Sequence, residues 1–94
     1  MLIEFDSAKD KINFAKHKLS LDVAISLEWD EALGWIDERF EYDELRMVTL
    51  VPGGNTLYYV AFVDQAEVRR IISLRYANCR EVKYYVENYT QASN

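Results

Sequence analysis

His17 is the only imidazole in the chain, and it stands between two lysines in "KHK". An imidazole can take or give a proton near neutral pH, and Lys16 beside it would lower its pKa. It can equally be plain decoration at a helix end, where the C-terminal dipole favours the cation. A second candidate is "RRIISLRYANCREVKYY", residues 69–85, with Arg69, Arg70, Arg75, Arg80 and Lys83 against one acid, Glu81. Converging arginines suit phosphate, because the planar guanidinium presents paired donors to its oxygens. A third is Glu44 and Arg46, two apart at the start of a strand and so pointing the same way. They form either an edge ion pair or a base with a further phosphate contact.

These residues need elements to hold them. "LIEF" is a short strand. Asp6 and Ser7 offer an N-cap, with Asp10 three residues after Ser7 in a capping-box arrangement. The helix that follows runs to about Lys18. Its apolar stripe is Ala8, Ile12, Ala15 and Leu19, expected to be buried; Lys9, Asn13 and Lys16 share a polar stripe, with His17 at its margin. Ser20 caps a second, short helix with Leu21, Ala24, Ile25 and Glu28 at helical spacing. "ALGWID", "LRMVTLV" and "TLYYVAFVD" read as strands, with "PGGN" a hairpin turn between the last two. "QAE" turns the chain into "VRRIISLRY".

That last strand poses a problem of faces. Strict alternation puts Arg69, Ile71, Ser73 and Arg75 on one side and Val68, Arg70, Ile72, Leu74 and Tyr76 on the other. Two arginines and a hydroxyl around one Ile make a poor core face and a plausible phosphate platform. A bulge between 69 and 73 would bring Arg70 onto it. Asn78 then caps a final helix, with Glu81 in the capping-box position. Arg80 in its first turn opposes the dipole, which a bound phosphate would explain. Val82, Tyr85, Val86 and Tyr89 form its apolar stripe, and Val82, Val86 and Tyr89 are expected to pack this helix on the sheet, with Leu57, Tyr59, Ile71 and Ile72 contributing from the sheet side. The order is α+β: N-terminal helices, an antiparallel meander and a C-terminal helix.

Bulk properties bound the rest. With 94 residues, half of them apolar, the chain makes one folded domain, 1–94, with a core over about 3–89 and a frayed tail at 90–94. One cysteine, Cys79, and one histidine cannot make a zinc-ligand set or an intrachain disulfide. "GG" at 53–54 does not open a helix, so there is no phosphate loop, and there is no nucleophile elbow. No metal and no cofactor is expected. No run of eighteen apolar residues occurs and the N-terminus lacks a signal-peptide core, so no membrane association and a cytoplasmic location are expected. The net charge is −5, spread unevenly: −8 over residues 22–44 and +3 over 68–94. The acidic segment 28–44 is expected to lie away from the arginines, serving a basic partner or solubility.

The motifs also carry a resemblance. "IEFDSAKDKINFAKHKLSLDVA" resembles the opening of the BrnT toxins (the DUF497 family), with Phe5, Asp6, Lys9, Asn13, Lys16, His17 and Ala24 at matching positions. Glu44 and Arg46 in "DELR" match the family's E-x-R. "RIISLRYANCREVKYY" resembles its closing motif through Arg70, Ser73, Arg75, Ala77, Arg80, Glu81 and Tyr85. The resemblance covers about residues 3–85. It departs where Trp is missing before Asp6, where "VDQ" stands at 63–65, and at Asn78, Cys79 and Val82.

The resemblance implies a RelE-like α+β fold and a metal-independent endoribonuclease that inhibits translation. It also implies a BrnA-type antitoxin, a ribbon-helix-helix DNA binder whose complex with the toxin represses their operon, so operator DNA is met only through the antitoxin. Cutting RNA without metal needs a base for the 2′-hydroxyl and cations for the pentavalent phosphate. His17 or Glu44 would be the base, Arg70, Arg75 and Arg80 would hold the phosphate, and Lys9, Lys16, Arg46 and Ser73 would support RNA binding. The alternative is a weakened or inert member that acts as an antitoxin-binding, autoregulatory module.

Overall fold

A computed structural model describes residues 1–38 and 44–92, with side chains to residue 89. The period-two stretches become five strands in one sheet, ordered β1-β5-β4-β3-β2. They are β1 (Leu2–Glu4), β2 (Leu33–Ile36), β3 (Met47–Gly53), β4 (Thr56–Gln65) and β5 (Val68–Tyr76). Strands β2 to β5 are the antiparallel meander, and β1 adds a parallel pair beside β5. The fold is therefore α+β, with a mixed sheet. The two hairpins inside the meander turn on Gly54 (φ 63°) and Ala66 (φ 57°). Both sit in the left-handed region that tight hairpin turns use.

The helical segments obey different rules from those the apolar pattern suggests. Helix α1 (Ser7–His17) is capped by Asp6, whose carboxylate accepts from the Ala8 N–H, and it ends at Lys18 in the left-handed region. Its expected apolar stripe is not buried: Ile12 is 67% exposed, and only Leu19, past the helix end, reaches the core. The buried position is polar. Asn13, 4% exposed, donates to the carbonyls of Leu74 and Leu19 and accepts from the Leu74 N–H. The reason is the sheet edge. β1 pairs with β5 only over Val68–Arg70, so beyond it β5 presents unpaired backbone groups. An amide can satisfy both, and an apolar side chain can satisfy neither. Asn13→Ala is expected to cost about 3 kcal/mol, since buried backbone groups left without partners cost about 1–3 kcal/mol each. Urea unfolding reads this loss directly.

The second helical stretch is a 3-10 helix, Leu21–Ser26. Side chains three apart eclipse in that geometry, so Leu21, Ala24 and Leu27 are buried in a line while Ile25 is 65% exposed. These three pack with Leu19 on Val51, Val60, Phe62, Ile71 and Leu74 of the sheet. Asp10 serves this junction and not a capping box: its carboxylate accepts from the Ser20 hydroxyl and the Leu21 N–H. A further 3-10 turn, Trp29–Glu31, places Trp29 edge-on to Phe62 at 5.6 Å.

Helix α2 (Cys79–Ala92) forms where expected and with the expected box. Asn78 Oδ1 accepts from the Glu81 N–H, and Glu81 Oε1 accepts from the Asn78 N–H. Its packing differs from the expectation: Val82 and Val86 are exposed, Val86 at 57%. The anchors are Tyr85, which belongs to the expected stripe and donates to the Glu31 carbonyl, and Tyr84 beside that stripe, which meets Trp35 edge-on. Tyr89 stacks on Tyr85. Polar and aromatic contacts, more directional than aliphatic burial, thus choose the face that α2 turns inward. Among the described residues, no helix is long and apolar enough to cross a membrane.

Candidate active site

The position of every β5 side chain follows from one irregularity. Ala61 pairs with Ser73 and Phe62 with Ile71, so Ile72 is an extra residue with no partner on β4. The bulge lets Ile71 and Leu74 share the core side, where both are fully buried. The same shift brings Arg70, Ser73 and Arg75 together on the opposite side, opposite Val63, Ala61 and Tyr59. Arg69 falls on the core side. It forms a two-pronged ion pair with Asp64, and its guanidinium lies over the Phe62 and Trp29 rings, so it leaves the candidate cluster.

Because Asn13 ties α1 to Leu74, the helix and the β5 side chains line one cleft of 420 Å³. Lys9, Lys16 and His17 come from α1, and Tyr59, Ser73 and Arg75 from the sheet. Among the described residues, the lining of this cleft holds no carboxylate. Burial, then the positive charges of Lys16 and Arg75, hold the His17 pKa below its ordinary 6.5. The direction is the reverse of what the helix C-terminus would impose, and it leaves the imidazole neutral and able to accept a proton at pH 7.

Arg75 is the most constrained cation of the cleft. Its Nη1 and Nη2 donate to the two oxygens of Glu81, both at 2.9 Å, and Nη1 also donates to the Tyr76 carbonyl. Its guanidinium lies 3.9 Å from the centre of the Tyr59 ring. The hydrogen bonds from Arg75, more than the opposing burial, hold the Glu81 carboxyl below its usual range, so it stays ionised.

A neighbouring cleft of 400 Å³ gathers Glu44, Arg46 and Arg70 with Lys9 on its rim. Glu4 and Asp6 line it as well, so its cations are matched by carboxylates. Arg70 pairs with Glu4 at 3.1 Å, and Glu44 accepts from the Gln65 amide at 2.9 Å. Arg80 lies elsewhere. It lines a third, largely apolar cleft with Trp35, Leu50, Glu81 and Tyr84, which the Arg75–Glu81 pair joins to the His17 cleft.

Most of the candidate residues are thus brought together, in two adjoining groups: His17, Lys9, Lys16, Ser73 and Arg75, then Glu44, Arg46 and Arg70. Arg80 joins neither. The acidic segment is not remote from the arginines, because Glu44 lies beside Arg46 and Arg70, and Trp29 lies under Arg69. Residues 39–43 of that segment lie outside the described residues. Pattern reading did not find Tyr59 as a cleft residue. Counting back from the Gln65–Val68 pair without the bulge puts Leu74, not Arg75, opposite Tyr59. The Asn13 clamp also went unread, although an Asn inside a helix is an unfavourable choice that asks for a reason.

Among the described residues, no group of three or more His, Cys, Asp or Glu could hold a metal ion. Residues 5–81 match the sequence profile of a family described as "Ribonuclease toxin, BrnT, of type II toxin-antitoxin system". No curated protein matches the chain.

Proposed function

The chain belongs to the BrnT family of ribonuclease toxins of type II toxin–antitoxin systems, and from that membership we propose that it is a metal-independent endoribonuclease working in the His17 cleft. The carrying observation is the lining of that cleft: a neutral imidazole among Lys9, Lys16 and Arg75, with no described carboxylate to repel a phosphate. A divalent ion would meet only like charge and an imidazole there, so the residues favour chemistry they perform alone.

His17 takes the proton of the RNA 2′-hydroxyl. The freed oxygen bonds to phosphorus, and the bond to the leaving 5′-oxygen breaks. That oxygen takes a proton from the Lys16 ammonium. Arg75 and Lys9 carry the charge that grows on the phosphoryl oxygens, and Ser73 hydrogen-bonds them. Between the two candidate bases, charge favours His17, because a phosphate beside Glu44 would also meet Glu4 and Asp6. Arg46 and Arg70 then contact the RNA backbone on one side of the cut, and Arg80 contacts it on the other. RNA cleavage in the cytoplasm would stop translation. A BrnA-type antitoxin, a ribbon-helix-helix DNA binder, would neutralise the chain and carry the complex to operator DNA.

A second reading, an inert antitoxin-binding and autoregulatory module, is favoured by one observation. Arg70 and Arg75 are already paired with Glu4 and Glu81. One assay separates the two. The purified chain is incubated with a short RNA and with its 2′-deoxy analogue, in excess chelator. Cleavage of the RNA alone, leaving a 2′,3′-cyclic phosphate and a 5′-hydroxyl, is expected. Cleavage that stops with chelator and returns with magnesium would sink the mechanism, and no cleavage alongside intact antitoxin binding would establish the inert module.

A further inference from the structure

A capping box needs one acceptor from its acidic residue. Glu81 supplies it through Oε1, which accepts from the Asn78 N–H. Its second oxygen, Oε2, has no part in the cap and accepts instead from Arg75 Nη2 at 2.9 Å. This surplus contact has a consequence across the cleft. An arginine side chain on an exposed strand normally samples many rotamers. Two parallel hydrogen bonds fix the plane of the fork, and the Tyr59 ring at 3.9 Å fixes which face it shows. The Glu81 carboxylate itself is held at the first turn of α2 by the backbone N–H of Asn78, a bond that does not depend on the Asn78 side chain.

We infer that Glu81 is a positioning residue for RNA cleavage: its carboxylate clamps the Arg75 guanidinium against Tyr59, so that the start of α2 presets the cation that meets the phosphate. The inference rests on the reading of the His17 cleft as the cleavage site. A preset charge stabilises the transition state without reorganising when the reaction occurs. The cost is a guanidinium partly neutralised by its own clamp. Lys9 and Lys16 on the same cleft offset that cost, since α1 adds two further cations to a lining that holds no described carboxylate. The clamp also explains why α2, whose valines face solvent, is built into the site at all: its N-terminus is the part that the cleft uses.

Glu81→Gln is the discriminating variant, because glutamine also serves in capping boxes but turns a donor toward the Arg75 fork. Single-turnover RNA cleavage is compared for the parent, Glu81→Gln, Asn78→Ala, Arg75→Ala and the Arg75→Ala, Glu81→Gln pair. Glu81→Gln is expected to lower the cleavage step about ten- to a hundredfold, the scale of a misplaced catalytic group, with little change in helicity. Asn78→Ala, which weakens only the cap, should lower thermal stability and leave cleavage near the parent rate. On the Arg75→Ala background, Glu81→Gln should cost nothing further. An equal loss in both backgrounds, or an equal loss from Asn78→Ala, would overturn the inference. Should the parent not cut RNA, the cleavage reading fails by itself. The clamp is then read by NMR of the Arg75 guanidinium, expected to be immobile in the parent and in Asn78→Ala but mobile in Glu81→Gln. Unchanged mobility in Glu81→Gln would overturn the clamp whatever the activity.

Discussion

The His17→Ala variant is expected to cut RNA about a hundred- to ten-thousandfold more slowly than the parent, the usual worth of a positioned general base. The fold should survive, because His17 is the last residue of α1 and the helix is anchored through Asn13 and the Asp6 cap. The pH profile gives the sharper test. Burial, Lys16 and Arg75 all lower the His17 pKa, so the basic form predominates at pH 7. The rate should fall as pH drops through that lowered value, which puts the acid limb below pH 6.5. Lys16→Ala also removes the donor to the leaving oxygen and so lowers the plateau rate, but it should move the limb upward toward 6.5. Because lost burial would shift the limb the same way, unchanged thermal unfolding must accompany the shift. A His17→Ala chain that cleaves at the parent rate, or an acid limb unmoved in Lys16→Ala, would remove His17 from the chemistry.

Arg75→Ala should lose about a hundred- to a thousandfold in the cleavage step, the scale seen when one preorganised group that stabilises transition-state charge is removed. Arg75→Lys should recover only part, since an ammonium cannot hold both Glu81 oxygens in a fork. Arg80→Ala is expected to behave differently. Arg80 lies on another cleft with Trp35 and Tyr84, so its loss should raise KM and leave kcat nearly unchanged. Single-turnover rates over a range of chain concentration separate the two effects. Equal loss of kcat from both substitutions would show that one phosphate is shared by Arg75 and Arg80, against the separation of their clefts.

Much of this fold is written in local sequence. The strands follow from β-branched and aromatic alternation, and the β3–β4 hairpin from "PGGN". The start of α2 follows from Asn78 and Glu81, whose mutual bonds need no help from afar. Each of these depends on residues within a few positions of one another, so the chain order carries the information. The clustering of arginines at 69–80 and the "KHK" helix end were legible for the same reason, and so was the family resemblance they carry.

Tertiary structure decided which side each group faces. The bulge at Ile72 exists because Ile71 and Leu74 are both drawn into the core, and alternation alone would set them on opposite faces. That one residue carries Arg70 to the side of Ser73 and Arg75 and sets Tyr59 under Arg75. The edge of β5, left open where β1 ends, made a polar residue the best thing α1 could bury, and so turned Ile12 outward and His17 toward Arg75. Local propensity selects helix or strand from near neighbours. Register and facing are set by whichever apolar surface and unpaired backbone groups remain once distant elements meet, and no window of sequence contains both partners.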